Sequence, residues 1–99
     1  MTKEKAINKV KLSENYISKL ELSNNVKVKS IKLLKQIYRN NIMIRKKELK
    51  GVIGGILYII SLFEAEKMTQ REIANMIGIS EPTIRNRLKE ILEIMSNGF

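Results

Sequence analysis

Sparse and dense apolar stretches alternate along the chain, and the spacing within each stretch predicts helices. Residues 1 to 12, MTKEKAINKVKL, are charged and polar, with only Ile7 and Val10 in weak register, and they read as a basic flexible arm. Ser13 is a suitable N-cap for a short first helix carrying Tyr16, Ile17 and Leu20, and Leu22 anchors the turn that follows. Ser23 or Asn24 then caps a longer helix reaching about Asn40, in which Val28, Ile31, Leu34 and Tyr38 make an apolar stripe. Lys29, Lys32, Gln36 and Arg39 keep the same spacing on another face, either as a solvated surface or as phosphate contacts. The connector IMIRKKELK is mixed in character, and its basic cluster Arg45, Lys46, Lys47 and Lys50 also suits solvent.

Density then rises. From about Glu48 to Phe63 nearly every side of the predicted helix is apolar, through Val52, Ile53, Ile56, Leu57, Ile59, Ile60, Leu62 and Phe63, which marks it as the buried central helix. Gly51, Gly54 and Gly55 each cost roughly 1 kcal/mol of helix propensity relative to Ala, tolerable where neighbouring helices must come close. After the polar break EAEKM, Thr69 and Glu72 form a T-x-x-E capping box for a helix through about Ile77, and Gly78 suits the left-handed residue that ends it. Ser80 caps a last helix from Glu81 to about Met95, with Pro82 in its first turn, where a missing N–H does no harm. Five helices with no strand pattern and no internal repeat make an all-α fold.

The last two helices have the layout of a helix-turn-helix over residues 69–95. Ile73, Ala74, Ile77, Ile79, Ile84, Leu88, Ile91 and Met95 fall on inner positions. An advance of about 100° per residue turns Pro82, Asn86, Lys89 and Glu93 outward, with Arg85 and Arg87 flanking them. Arginine can pair with guanine O6 and N7, and asparagine with adenine N6 and N7, so Arg85 and Asn86 are candidate base readers. Thr83 can reach a phosphate or a base, while Gln70 and Arg71 at the start of the preceding helix can grip the nucleic-acid backbone. The alternative is a helical hairpin that binds a protein.

Composition narrows the chemistry. The 99 residues fit one domain and include neither cysteine nor histidine, so disulfides, Cys or His zinc sites and Cys or His catalysis are excluded. Glu64, Glu66 and Glu72 gather at a helix junction, but without those partners or a phosphate-cradling glycine loop they read as solubilising charges and a cap. No enzyme activity, metal or cofactor is expected. The net charge of +9 suits a polyanion, although codon bias in an AT-rich genome also enriches lysine. Residues 1–50 hold 14 basic and 4 acidic groups, whereas residues 51–99 hold 5 and 6, so the excess lies outside the helical hairpin. The amino-terminal segment has no apolar core of a secretory signal, and the longest strongly apolar run, GVIGGILYIISLF, has 13 residues where a membrane span needs about 20. The expectation is a cytoplasmic protein associated with the nucleoid and without a membrane partner.

The stretch GVIGGILYIISLFEAEKMTQREIANMIGISEPTIRNRLKEI, Gly51 to Ile91, resembles the last three helices of the second cyclin-like repeat in archaeal transcription factor B, the counterpart of eukaryotic general initiation factor IIB. The resemblance rests on the central helix with its tyrosine, on T-Q-R-E-I-A and on T-I-R-N-R. Upstream, YISKLELSNNVKVKSIKLLKQI is similar to the first two helices of that repeat, including the L-x-L-S junction, so the likeness extends from about Ser13 to Met95. It implies a five-helix cyclin-like domain over 13–99, whose helix-turn-helix enters the major groove upstream of a TATA box and reads a purine-rich element beside TATA-binding protein.

Carried onto this chain, the resemblance makes Arg85 the principal base contact, while Asn86 beside it stays a candidate from its helical phase and amide chemistry. Pro82 stands where the family usually has a base-touching valine, which implies a different sequence preference. Gln70, Arg71, Thr83, Arg87 and Lys89 are the candidate backbone contacts from their positions on the two helices. Leu49 replaces a common proline, and Gly54 and Gly55 replace alanines. The family's zinc ribbon, reader loop and first repeat have no counterpart here, so the chain alone is not expected to act as a complete initiation factor. A cyclin-like protein adaptor is the alternative function, and a homodimer mimicking the tandem repeats is a further possibility.

Overall fold

The protein, described by a computed structural model over residues 3–98, is built from helices alone among the described residues. They are α1 (Lys3–Ser18), α2 (Asn24–Asn40), α3 (Ile42–Arg45), α4 (Leu49–Phe63), α5 (Gln70–Ile77) and α6 (Glu81–Ser96). The apolar helix α4 is the axis of the domain, with α1, α2, α5 and α6 packed around it. Val52, Ile53, Ile56, Leu57 and Ile59 on α4 join Leu34, Ile37 and Tyr38 from α2 and Ile73, Ile77, Ile84 and Ile91 from α5 and α6 in one core. Its last turn departs from the expected burial: Leu62 is half exposed and Phe63 is 80% exposed.

The amino-terminal reading is corrected. Met1 and Thr2 lie outside the described residues, but from Lys3 onward the segment expected as an arm is helical and continuous with the helix expected after Ser13. Ser13 is not an N-cap. It is buried mid-helix, where its hydroxyl donates to the Lys9 carbonyl at 2.8 Å. Such a back-bond satisfies serine within a helix as readily as capping does at its start. Lys9 ties the helix to the rest of the fold, its ammonium donating to the carbonyls of Arg45 at 2.5 Å and Lys47 at 3.2 Å.

Two further differences follow from helix phase and capping. On α2 the buried set is Val26, Ser30, Leu33, Leu34, Ile37 and Tyr38, so the expected stripe was rotated and Val28 is 64% exposed. Asn41 accepts a bond from the Ile44 N–H at 2.9 Å and caps the extra short helix α3, which makes six helices among the described residues rather than five. The Arg45 guanidinium then turns back, donating to the carbonyls of Tyr38 and Arg39 and satisfying the end of α2.

Glycine lets α6 lie directly on α4. A Cβ at Gly55 would stand 3.2 Å from the Leu88 backbone nitrogen and 2.9 Å from Ile91 Cδ1. At Gly54 it would meet Ile79 Cδ1 at 2.9 Å, and at Gly51 the Thr83 methyl at 3.1 Å. The sequence inference of close helix approach therefore has a definite partner: α6 and the turn before it.

Candidate nucleic-acid interface

Local hydrogen bonds fix both helices of the carboxy-terminal hairpin. The Thr69 hydroxyl accepts from the Glu72 N–H at 3.0 Å while the Glu72 carboxylate accepts from the Thr69 N–H at 3.2 Å, completing the capping box. Gly78 at φ 72° and ψ 43° ends α5, and the N–H groups of Gly78 and Ile79 both donate to the Ala74 carbonyl. Only glycine enters that left-handed region without a Cβ penalty. Ser80 then accepts from the Thr83 N–H at 3.2 Å and opens α6 with Pro82 in its first turn. Ile73, Ala74, Ile77, Ile84 and Ile91 are buried, as their spacing predicts, whereas Ile79, Leu88 and Met95 are only partly covered.

On α6 the side chains of Pro82, Arg85, Asn86 and Lys89 are exposed along one side, and Arg71 is exposed at the start of α5. The Arg85 guanidinium donates from Nη1 to the Gln70 side-chain carbonyl at 3.4 Å, joining the two helices above the turn. Thr83 is half-buried: its hydroxyl lies 2.8 Å from that of Ser80, and its methyl faces Gly51.

Arg87 goes elsewhere. Its stem packs beside Gly51 and Gly55, its Nη2 pairs with Glu90 at 2.7 Å, and only 17% of its side chain is exposed. The buried Arg87 Nε has no hydrogen-bond partner. Arg87 follows Ile84 by three residues and precedes Ile91 by four, so it shares their inward phase. That spacing, with two glycines opposite, was the available signal that it belongs to the α4–α6 seam and not to the flank of the outer face.

The acidic junction is structural in a way its sequence did not disclose. Glu72 is the cap, but Glu64 pairs with Lys29 and Glu66 accepts from the Ser23 N–H at 2.9 Å, so the start of α2 is clasped to the α4–α5 connection. This removes Lys29 from the basic stripe, leaving Lys32, Gln36 and Arg39 exposed. Lys50 is exposed too, its ammonium 5.8 Å above the Tyr16 ring. No three potential metal ligands gather among the described residues. An open cleft of about 380 Å³ runs along the later part of α6 beside α3, lined by Lys47 as well as Glu90 and Glu93, so its charged wall has no positive excess to draw phosphate. Tyr38 lies in the core, where burial pushes its phenol up to about 12.

An all-helical domain closed by a tightly capped helix-turn-helix, with arginine, asparagine and lysine side chains on the open side of its second helix, is the class of protein these features define. Comparison with known families gives the particular one. The profile described as "Transcription factor TFIIB repeat" matches residues 2–94, and the chain belongs to that family of cyclin-like repeats. It is similar to transcription initiation factor IIB of Pyrococcus horikoshii, 40% identical over 78 residues that make up 79% of this chain and 26% of that protein. The same-named protein of Methanopyrus kandleri is 40% identical over 80 residues, 81% of this chain and 26% of the relative. Transcription initiation factor IIB 1 of Thermoplasma volcanium is 39% identical over 85 residues, 82% of this chain and 27% of the relative. The chain thus spans about a quarter of the length of these relatives.

Proposed function

We propose that this repeat binds double-stranded DNA beside a TATA box, together with TATA-binding protein, and takes part in transcription initiation or its regulation. Helix α6 enters the major groove, with Arg85 and Asn86 facing base edges and Pro82 against them. Arg71, Thr83 and Lys89 contact the flanking phosphates. One observation carries this reading: Pro82, Arg85, Asn86 and Lys89 share the exposed side of α6, while the apolar residues and Arg87 hold its other side on α4. Family membership and the initiation-factor names of the archaeal relatives support it. Among the described residues no helix is long and apolar enough to cross a membrane.

Selection of duplexes from a random pool, with and without TATA-binding protein, tests the reading, followed by titration of Arg85→Ala on the selected site. The variant should bind about 1–3 kcal/mol more weakly and lose preference at one base pair. Unchanged affinity and preference would remove Arg85 from the interface.

A protein-adaptor reading draws on the exposed Phe63 and neighbouring Leu62 at the end of α4, large apolar side chains without cover. Retention on DNA without added protein, weakening as salt rises, favours the DNA reader. Absence of retention, combined with Phe63-dependent capture of a protein, favours the adaptor.

A further inference from the structure

Gln70 is the first residue of α5, and its side-chain oxygen is the acceptor for Arg85 Nη1 at 3.4 Å. The side-chain ion pairs among the described residues are Lys29–Glu64, Lys35–Glu14 and Arg87–Glu90. Arg85 belongs to none of them. Among the described residues its guanidinium meets no carboxylate within ion-pair distance, and a neutral amide takes one of its five N–H donors. A guanidinium held through Nη1 keeps its Nε–Nη2 edge whole, and that edge can give two parallel bonds to a guanine. A flexible arginine on an exposed helix face otherwise loses much side-chain entropy when it settles on a base.

The geometry points to Gln70 as a positioning residue for base discrimination: it steers the Arg85 guanidinium from the neighbouring helix and does not itself grip the DNA backbone. This rests on the proposed reading of Arg85. It assigns Gln70 a role distinct from the phosphate contact expected of a polar residue at a helix start. The amide is suited to it because a carboxylate there would also orient Arg85 but would neutralise it, with the mutual attraction of an ion pair holding it away from the groove.

The test uses the whole chain, TATA-binding protein if the selection requires it, and the duplex recovered from a random pool. Single-base variants at each position complete the probe set. Arg85→Ala identifies the base pair whose preference depends on Arg85. At that pair, Gln70→Ala and Gln70→Met should each lower discrimination on the order of tenfold, within the span of a single bidentate contact. Binding to duplexes already altered there should change by less than about threefold, since no direct contact is lost. Gln70→Glu should weaken binding to all duplexes, and adding Gln70→Ala to Arg85→Ala should cost no further discrimination. Thermal unfolding of each variant confirms that the fold is kept.

If Gln70→Ala weakens every duplex equally, or its effect adds fully to that of Arg85→Ala, Gln70 acts independently and the positioning role is overturned while Arg85 remains a reader. If the pool yields no preferred duplex, or Arg85→Ala leaves the preference intact, the proposed reading fails and the role of Gln70 fails with it.

Discussion

Replacing Gly55 with alanine sets two opposed effects against each other at the α4–α6 seam. In a helix interior alanine is favoured over glycine by about 1 kcal/mol, so an open site would be stabilised. At Gly55 the added methyl would lie 3.2 Å from the Leu88 backbone nitrogen, 2.9 Å from Ile91 Cδ1 and 3.3 Å from Arg87 Cβ. The isoleucine tip can rotate away, but the backbone nitrogen and the Cβ move only with α6 itself. Overpacking a close-packed core costs typically 1–3 kcal/mol, so the net change is a loss of about 1 kcal/mol. For a chain of this size that lowers the melting temperature by roughly 4–8 °C. Gly54→Ala is the internal control, because its neighbours are the outer carbons of Ile77, Ile79 and Ile84 and no backbone atom is among them. Its propensity gain and steric cost should nearly cancel. Thermal and urea unfolding of the two variants side by side make the measurement. A Gly55→Ala protein more stable than the parent by the full propensity gain would show that α6 does not rest on α4 as closely as described.

Other consequences are as direct. Tyr38→Phe should leave stability at pH 7 equal or raise it by about 1 kcal/mol, because the buried Tyr38 hydroxyl has no hydrogen-bond partner. The folded protein holds the Tyr38 phenol protonated up to about pH 12 against an ordinary value of 10.0, so its contribution is complete below pH 10 and is lost as pH rises through 12. A pH series of denaturant melts should show this alkaline loss reduced in Tyr38→Phe. Removal of residues 1–12 should destabilise the domain on the order of 2 kcal/mol through the lost Lys9 bonds, measurable by urea unfolding, whereas a dispensable arm would leave the midpoint unchanged. Thr69→Ala should cost about 1 kcal/mol by breaking the capping box, and faster amide exchange at the start of α5 would locate the effect.

The helices most legible in the sequence are those whose ends are written in local chemistry. Thr69, Glu72, Gly78 and Ser80 mark their own roles within four residues, and each performs that role in the structure. The centrality of α4 was equally plain from its apolar surround. What local pattern did not disclose depends on distant partners. Helix α1 is secured by the Lys9 ammonium on carbonyls 36 and 38 residues away. Ser13 offers the same hydroxyl to a cap or to an i−4 carbonyl, and only packing selects between them. Val28 looked apolar enough for the core, but the buried side of α2 is set by Val26, Ser30, Leu33, Leu34, Ile37 and Tyr38. At the candidate interface, exposure of Arg85, Asn86 and Lys89 followed from helical phase, whereas the inward turn of Arg87 depended on two glycines more than thirty positions earlier.

The elbow at Gly78 has one further implication. The Ala74 carbonyl accepts from the N–H groups of Gly78 and Ile79 on one side and the Ser80 hydroxyl caps α6 on the other, so local bonds within the turn set the splay of the two arms. If α6 enters a major groove as proposed, the duplex would have to bend or twist to meet the hairpin, and stiffness along the double helix would contribute to selection at steps that no side chain touches.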